Sequence, residues 1–285
     1  MKISQKHNLV YKGANNRSSL LDVIYPKSDA EIPIVLFAHG FKGFKDWGHF
    51  PLIADELAKA GFCVIKFNFS HNGGTVKEPI DFPDLQSFAV NSYWKELTDL
   101  SKLLEWIKHF DFKNELEQQV AKNEINLIGH SRGGGIAICA AAQFPAINKV
   151  VTWSAVADFV KRLPSESELK KWEKEGVRYI VNTRTKQKMP MNYSFVEELY
   201  NFQDKLSIEN AVRNMTQPLL IIHGTNDEAV AVSAAKQLNN WNPQSELKLI
   251  EGSGHTYGGK HPWEEKDLPE HTKQLLDATI QFLKH

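Results

Sequence analysis

Cysteine is scarce in this sequence, at two residues in 285, Cys63 and Cys139. Each sits among apolar residues of a predicted strand or helix. A disulfide-stapled scaffold is excluded, and no zinc-ligand spacing is present. The two read as reduced core thiols of a cytosolic protein, with a Cys63–Cys139 bridge as the alternative. Long hydrophobic runs are also missing. None approaches the ~20 apolar residues that span a bilayer, and MKISQKHNLVYKG lacks the apolar stretch of a secretory signal. Neither charge is in excess: 34 Lys and Arg face 34 Asp and Glu. No overall field would draw the chain to nucleic acid or to an anionic membrane. The expectation is a cytoplasmic protein without those partners, of unspecified oligomeric state. Repeats and low-complexity tracts are lacking too.

What is present is an alternation. The first 25 residues step between apolar and polar around Gly13-Ala14-Asn15-Asn16, which predicts an antiparallel hairpin. Continuous apolar runs follow at Ile32–Ala38, Phe62–Phe67, Ile125–Ile128, Lys149–Trp153, Leu219–Ile222 and Glu246–Ile250. Such runs suit strands buried on both faces. Between them lie helical patterns. Ile53, Leu57 and Ala60 share a face, as do Tyr93, Leu97, Leu100, Leu104 and Ile107. Ile136–Ala141 and Leu275–Leu283 predict two more helices. Strand–helix alternation implies a mostly parallel sheet covered on both faces. The rhythm breaks from about Ala155 to Met215. A structureless loop of that length is implausible in a compact domain, so the segment reads as a small cap inserted into one domain spanning 1–285.

The sharpest motif is Gly129-His130-Ser131-Arg132-Gly133, a G-x-S-x-G between a predicted strand and a predicted helix. The glycines would permit a tight turn that exposes the Ser131 hydroxyl at a helix N-terminus, where developing negative charge is favoured. A serine needs a base to act as a nucleophile. His255, in Gly252-Ser253-Gly254-His255, lies just past the last predicted strand, where the active sites of parallel sheets gather. An acid would fix the histidine tautomer. Asp227, just after Leu219–Ile222, is the first candidate and Asp158 the second. An oxyanion needs fixed N–H donors. Those of Phe41, in His39-Gly40-Phe41-Lys42-Gly43, and of Arg132 are the candidates, with Gly40 letting the backbone come close.

HGFKG, GHSRGG, HGTND and GSGH, in this order, resemble the α/β-hydrolase family. The compact size and HGF loop are similar to the serine esterases of the dienelactone-hydrolase and cinnamoyl-esterase type. The resemblance implies an eight-stranded, mostly parallel sheet with helices on both faces. It also implies hydrolysis of small to medium acyl or aryl carboxylic esters through an acyl-enzyme. Carried onto this chain, it makes Ser131, Asp227 and His255 the catalytic residues and Phe41 and Arg132 the oxyanion donors. No cofactor or metal is implied; the partner is a small-molecule ester. The chain departs from dienelactone hydrolases in one respect, since those typically carry a cysteine nucleophile.

The inserted segment holds every methionine beyond the first, Met189, Met191 and Met215, with Trp172, Tyr193 and Phe195 among its aromatics. Met189, Met191 and Tyr193 are candidate substrate contacts; the alternative is that they form the segment's own core. Arg178, Arg184, Lys186 and Lys188 are either a solvated hairpin face or a lure for a substrate anion. His71, in Ser70-His71-Asn72-Gly73-Gly74, is a further candidate contact, or part of a flexible turn. Competing functions are an aminopeptidase resembling proline iminopeptidases, which would use Glu197 and Glu198 on the substrate amine, and a thioesterase. A binding protein on an inactive hydrolase fold is the alternative outside enzymes.

Overall fold

A computed structural model of the chain describes residues 2–285. The N-terminal pattern folds as predicted into a hairpin, β1 (Ile3–Lys12) and β2 (Ser18–Pro26). There follow β3 (Ile32–Ala38), β4 (Cys63–Phe67), β5 (Val120–His130) and β6 (Ile147–Trp153). Later come β7 (Val177–Val181), β8 (Lys188–Asn192), β9 (Leu219–Gly224) and β10 (Glu246–Ile250). Eight of these make one sheet in the order β1-β2-β4-β3-β5-β6-β9-β10, while β7 and β8 pair separately. β2 joins both β1 and β4 antiparallel; the remaining pairs of the large sheet are parallel.

Period two in β3 explains why its run is apolar throughout. Ile34, Leu36 and Ala38 enter the core on one face, with the helices Tyr93–His109 and Arg132–Ala141. Val35 and Phe37 enter the core on the other, under the helices Phe50–Lys59 and Glu270–Lys284. Cys63 and Cys139 are free and buried, which pushes the Cys139 thiol up to about 12. Among the described residues no helix is long and apolar enough to cross a membrane.

Residues 155–215 lie between β6 and β9. They hold the β7–β8 hairpin and the helices Glu166–Glu175, Ser194–Asn201 and Ile208–Asn214. Ser165 and Glu168 form a reciprocal cap on the first helix, satisfying donors that its N-terminus would otherwise orphan. Trp172 donates its indole N–H to the Met191 carbonyl at 2.8 Å. Trp172, Met189, Phe195 and Leu199 join the same apolar cluster as the central sheet. The segment therefore shares the main core rather than closing on one of its own.

The loop after β3 is pinned by buried charges. Asp22 on β2 faces Lys66 on β4 in register, 2.5 Å from its ammonium. Lys45, from the β3 loop, donates to Asp22 at 2.7 Å. Asp46 closes the group by pairing with both lysines. The Lys45 N–H also donates to Asn68 Oδ1 at 2.6 Å. Burial alone would raise the Asp22 pKa, but Lys66 and Lys45 outweigh it and hold the carboxyl well below its usual range. Its stabilising contribution is therefore complete above the unfolded carboxylate pKa and fades as pH falls toward the depressed folded value. Asp22→Asn should cost about 3 kcal/mol at neutral pH, because two buried ammonium groups lose a shared partner. Urea unfolding of both proteins at pH 7 and pH 3 checks this. The gap should shrink at pH 3; an equal gap at both would assign the loss to packing.

Candidate active site

Every parallel strand of the sheet points its carboxyl end toward one edge, and the loops leaving β3, β5, β9 and β10 meet there. β5 runs through Gly129 into a turn of one residue, after which the helix Arg132–Ala141 begins. Ser131 is that residue, at φ 58° and ψ −119°. This is a sparsely populated conformation for a side chain with a Cβ, costing on the order of 1–3 kcal/mol. The Ser131 N–H donates to the Trp153 carbonyl at 2.8 Å, which ties the turn to β6. The flanking glycines are steric requirements. A Cβ on Gly129 would lie 2.3 Å from the Gly133 carbonyl oxygen, and one on Gly133 would lie 2.5 Å from those of Ala38 and His39.

Ser131, His255 and Asp227 come together. His255 Nε2 is 3.0 Å from Ser131 Oγ, and His255 Nδ1 is 2.8 Å from Asp227 Oδ2. Asp227 Oδ1 accepts the backbone N–H groups of Ala229 and Val230, each at 2.9 Å. Burial opposes ionisation of Asp227. Hydrogen bonds from His223, His255 and Val230 overcome it, so the carboxyl is held well below its usual range. An ionised Asp227 needs a proton on the facing Nδ1, which leaves Nε2 as an acceptor for the Ser131 hydroxyl. Asp158 is elsewhere, accepting the N–H groups of Val160 and Lys161 at a short helix start.

Phe41 and Arg132 both lie beside Ser131, in the wall of one pocket. Their backbone N–H groups donate to no other group among the described residues. Arg132 opens its helix, so its N–H has no intrahelical acceptor. Its side chain is buried and does separate work. The guanidinium lies 4.0 Å above the Phe41 ring and 4.7 Å from that of Tyr93, and donates to Glu96 at 3.0 Å. The turn that carries one free N–H is thereby clamped to the loop that carries the other.

Sequence reasoning missed this clamp, and it missed two histidines. His130 is buried, and burial followed by the neighbouring His255 pushes it down to about 3. Its Nε2–H donates to the His255 carbonyl at 2.9 Å and holds the histidine loop in place. His223, wholly buried, puts Nε2 3.3 Å from Asp227 Oδ2. Their placement inside GHS and HGTND was the available signal.

Two cavities meet at Ser131. One, of about 690 Å³, is lined by His255, Trp47 and Lys42. The other, of about 170 Å³, is lined by Tyr93, Trp172, Met191 and Phe195. Met191 thus reaches the site, but three expected contacts are corrected. Met189 is 0% exposed and is spent on the core. Tyr193 packs against that core, edge-on to Trp172, and lines neither cavity. His71 is buried against Ser70 Oγ at 2.8 Å and belongs to a different surface hollow with Asn15 and Arg17.

The chain matches the family model described as alpha/beta hydrolase fold over residues 33–177. It matches a second, BAAT / Acyl-CoA thioester hydrolase C terminal, over residues 113–258. The chain belongs to the α/β-hydrolase family, a family of hydrolases. A comparison with curated proteins finds no match. Among solved structures it is similar to Est1E from Butyrivibrio proteoclasticus with ferulic acid bound, at TM-score 0.71 and 20% identity, covering 97% of this chain and 98% of that one. An esterase domain from a Rhodothermus marinus protein aligns at TM-score 0.64 and 18% identity, over 99% and 98%. Dienelactone hydrolase from Anabaena variabilis aligns at 0.63 and 16%, also over 99% and 98%.

The His255–Asp227 hydrogen bond can be read without any substrate. Wild-type protein should show a strongly downfield proton resonance from the His255 Nδ1–H. Asp227→Asn should abolish it and Asp158→Asn should leave it. Retention in Asp227→Asn would place a different acceptor on Nδ1.

Proposed function

We propose that the protein is a serine hydrolase that cleaves carboxylic esters of small to medium acyl or aryl groups through an acyl-enzyme. The observation that carries this reading is a single imidazole ring in contact with Ser131 Oγ on one side and an ionised carboxylate on the other. His255 takes the Ser131 proton as Oγ attacks the ester carbonyl, and Asp227 stabilises the imidazolium that forms. The N–H groups of Phe41 and Arg132 receive the oxyanion. His255 then gives the proton to the departing oxygen, and water repeats the sequence on the acyl-enzyme. Residues 155–215 act as a cap whose walls select the acyl group. The similar structure of Est1E with ferulic acid bound makes an aryl acyl group a fitting occupant of the aromatic pocket.

A thioester is the second reading. The match to the acyl-CoA thioester hydrolase model, which spans Ser131, Asp227 and His255, favours it. The same nucleophile and base would serve, with a thiol as leaving group.

Ser131→Ala should lower kcat by about 10⁴–10⁶ on 4-nitrophenyl acetate or its thioester counterpart while leaving the fold unchanged. Turnover above a hundredth of wild type in a folded variant would transfer the nucleophile elsewhere. The pH dependence has a definite form. Asp227 stays ionised, while His130 at about 3 and His39 at about 4 stay neutral above pH 5. Below the optimum, log kcat/KM should fall with a slope of one, as a mechanism with one essential base requires. A slope of two between pH 5 and the optimum would require a second essential base.

A further inference from the structure

The wide cleft has an uneven charge. The whole chain balances 34 basic residues against 34 acidic ones, yet the cleft wall holds Lys42, Arg162, Arg184 and Lys260 and no carboxylate. Some of this charge is committed. Arg184 pairs with Asp81, and Arg162 donates to the Ala229 carbonyl at 3.1 Å. The remaining two are not. Lys42, half-buried beside the free N–H of Phe41, forms no ion pair or side-chain hydrogen bond among the described residues, and its ammonium lies 5.9 Å from the Phe41 centroid. Burial lowers its pKa, the direction expected of a cation without a counter-charge. Lys260 extends from the loop that carries His255 and forms no ion pair among the described residues. Of the nearby acids, Asp227 is taken up by His255 and two backbone N–H groups. His261 contributes no cation at neutral pH, since burial, and then Arg184, lowers its pKa. The basic stretch of the sequence divides accordingly. Arg184 faces this cleft, Arg178 lies over Trp172 by the aromatic pocket, and Lys186 and Lys188 are exposed and line neither cavity.

The side of the ester that meets this charge follows from the proton's path. His255 must hand its proton to the leaving atom, so that atom lies within reach of Nε2. His255 lines the wide cleft and is absent from the wall of the aromatic pocket; Ser131 lines both. The leaving group therefore occupies the wide cleft and the acyl group the aromatic pocket. Resting on the hydrolase reading above, we infer that the preferred substrate carries an anion, a carboxylate or a phosphate, on its leaving group, received by Lys42 and Lys260. The wall without carboxylates disfavours the opposite choice, a leaving group that carries a cation.

The test compares acetate esters of similar size that differ in leaving-group charge, each rate taken relative to its uncatalysed hydrolysis: 4-methoxyphenyl acetate, 4-acetoxybenzoate and 4-acetoxyphenyl phosphate. A fourth ester, 4-methoxyphenyl hemisuccinate, carries its charge on the acyl side. At low ionic strength kcat/KM for at least one anionic leaving group should exceed that for the neutral ester by about tenfold. Salt should shrink the ratio, and whichever anion gains more identifies the headgroup. In Lys42→Gln/Lys260→Gln the ratio should fall toward one. A wild-type ratio at or below one, a ratio the double substitution leaves intact, or an equal gain for the hemisuccinate would overturn the inference. Continued Ser131-dependent turnover of the neutral ester would then leave the hydrolase reading standing. Were no ester turned over, that reading would fall. Calorimetry of 4-hydroxyphenyl phosphate against hydroquinone would then decide the anion site alone. Tenfold tighter binding of the phosphate supports the site, and equal affinity overturns it.

Discussion

The one-residue turn at Ser131 is the constraint on which the site depends. A strand buried on both faces must pass into a helix packed on the same sheet, and the chain turns between them on a serine at positive φ. That geometry persists only because the surroundings over-determine it. β6 accepts the Ser131 N–H, and Gly129 and Gly133 allow a backbone approach that any side chain would block. Once the turn is fixed, Oγ stands at the sheet edge, and Arg132, whose N–H has no acceptor among the described residues, lines the same cavity. The other parts are brought to it. His130 in the turn holds the carbonyl of His255, and the Arg132 guanidinium holds the ring of Phe41. Residues of the turn thus position two other loops as well as themselves.

Electrostatics divides the molecule into layers of different purpose. Buried Asp22, Lys66 and Lys45 and the partly exposed Asp46 form an ion-pair group that anchors the loop after β3. Glu96 balances Arg132 under the aromatic pocket. Against the opposing effect of burial, Asp227 is held well below the usual carboxylate range by hydrogen bonds from His223, His255 and Val230. Toward the wide cleft, by contrast, Lys42 and Lys260 form no ion pair among the described residues. A balanced net charge hides this distribution, since it sums over sites that do not interact.

Much of the fold was legible because burial on both faces of a parallel sheet leaves continuous apolar runs. The strands at Ile32–Ala38 and Glu246–Ile250 begin and end as expected. Helix starts were less visible. The helix predicted from Ile136 begins at Arg132, because Gly133 to Gly135 have poor helix propensity and are helical through packing alone. The short helices Leu85–Ala89 and Phe112–Leu116 carry too few turns to show a period. In the site, motif and strand order located Ser131, His255 and Asp227, and the structure brings them within hydrogen-bond reach of one another. Contacts within residues 155–215 were not legible. Met189 and Met191 stand two residues apart on β8 and so share one face; both join the core, but Met191 also reaches a cavity wall, and composition cannot say where along the strand that cavity begins. His71 failed for a related reason. Its turn sequence suggested exposure, while Asp99, pushed up to about 7 by burial, and Ser70 draw the loop inward.

The central claim is that Ser131 becomes acylated while His255 accepts its proton. Intact-mass analysis after rapid quenching, with an aryl ester that deacylates slowly, tests it most directly. The account predicts one acyl adduct per chain, mapped by peptide sequencing to the segment containing Ser131. The adduct should be absent in Ser131→Ala and should form far more slowly in His255→Ala. An adduct on another residue, or steady turnover with no adduct at any quench time when deacylation is shown to limit the rate, would contradict it.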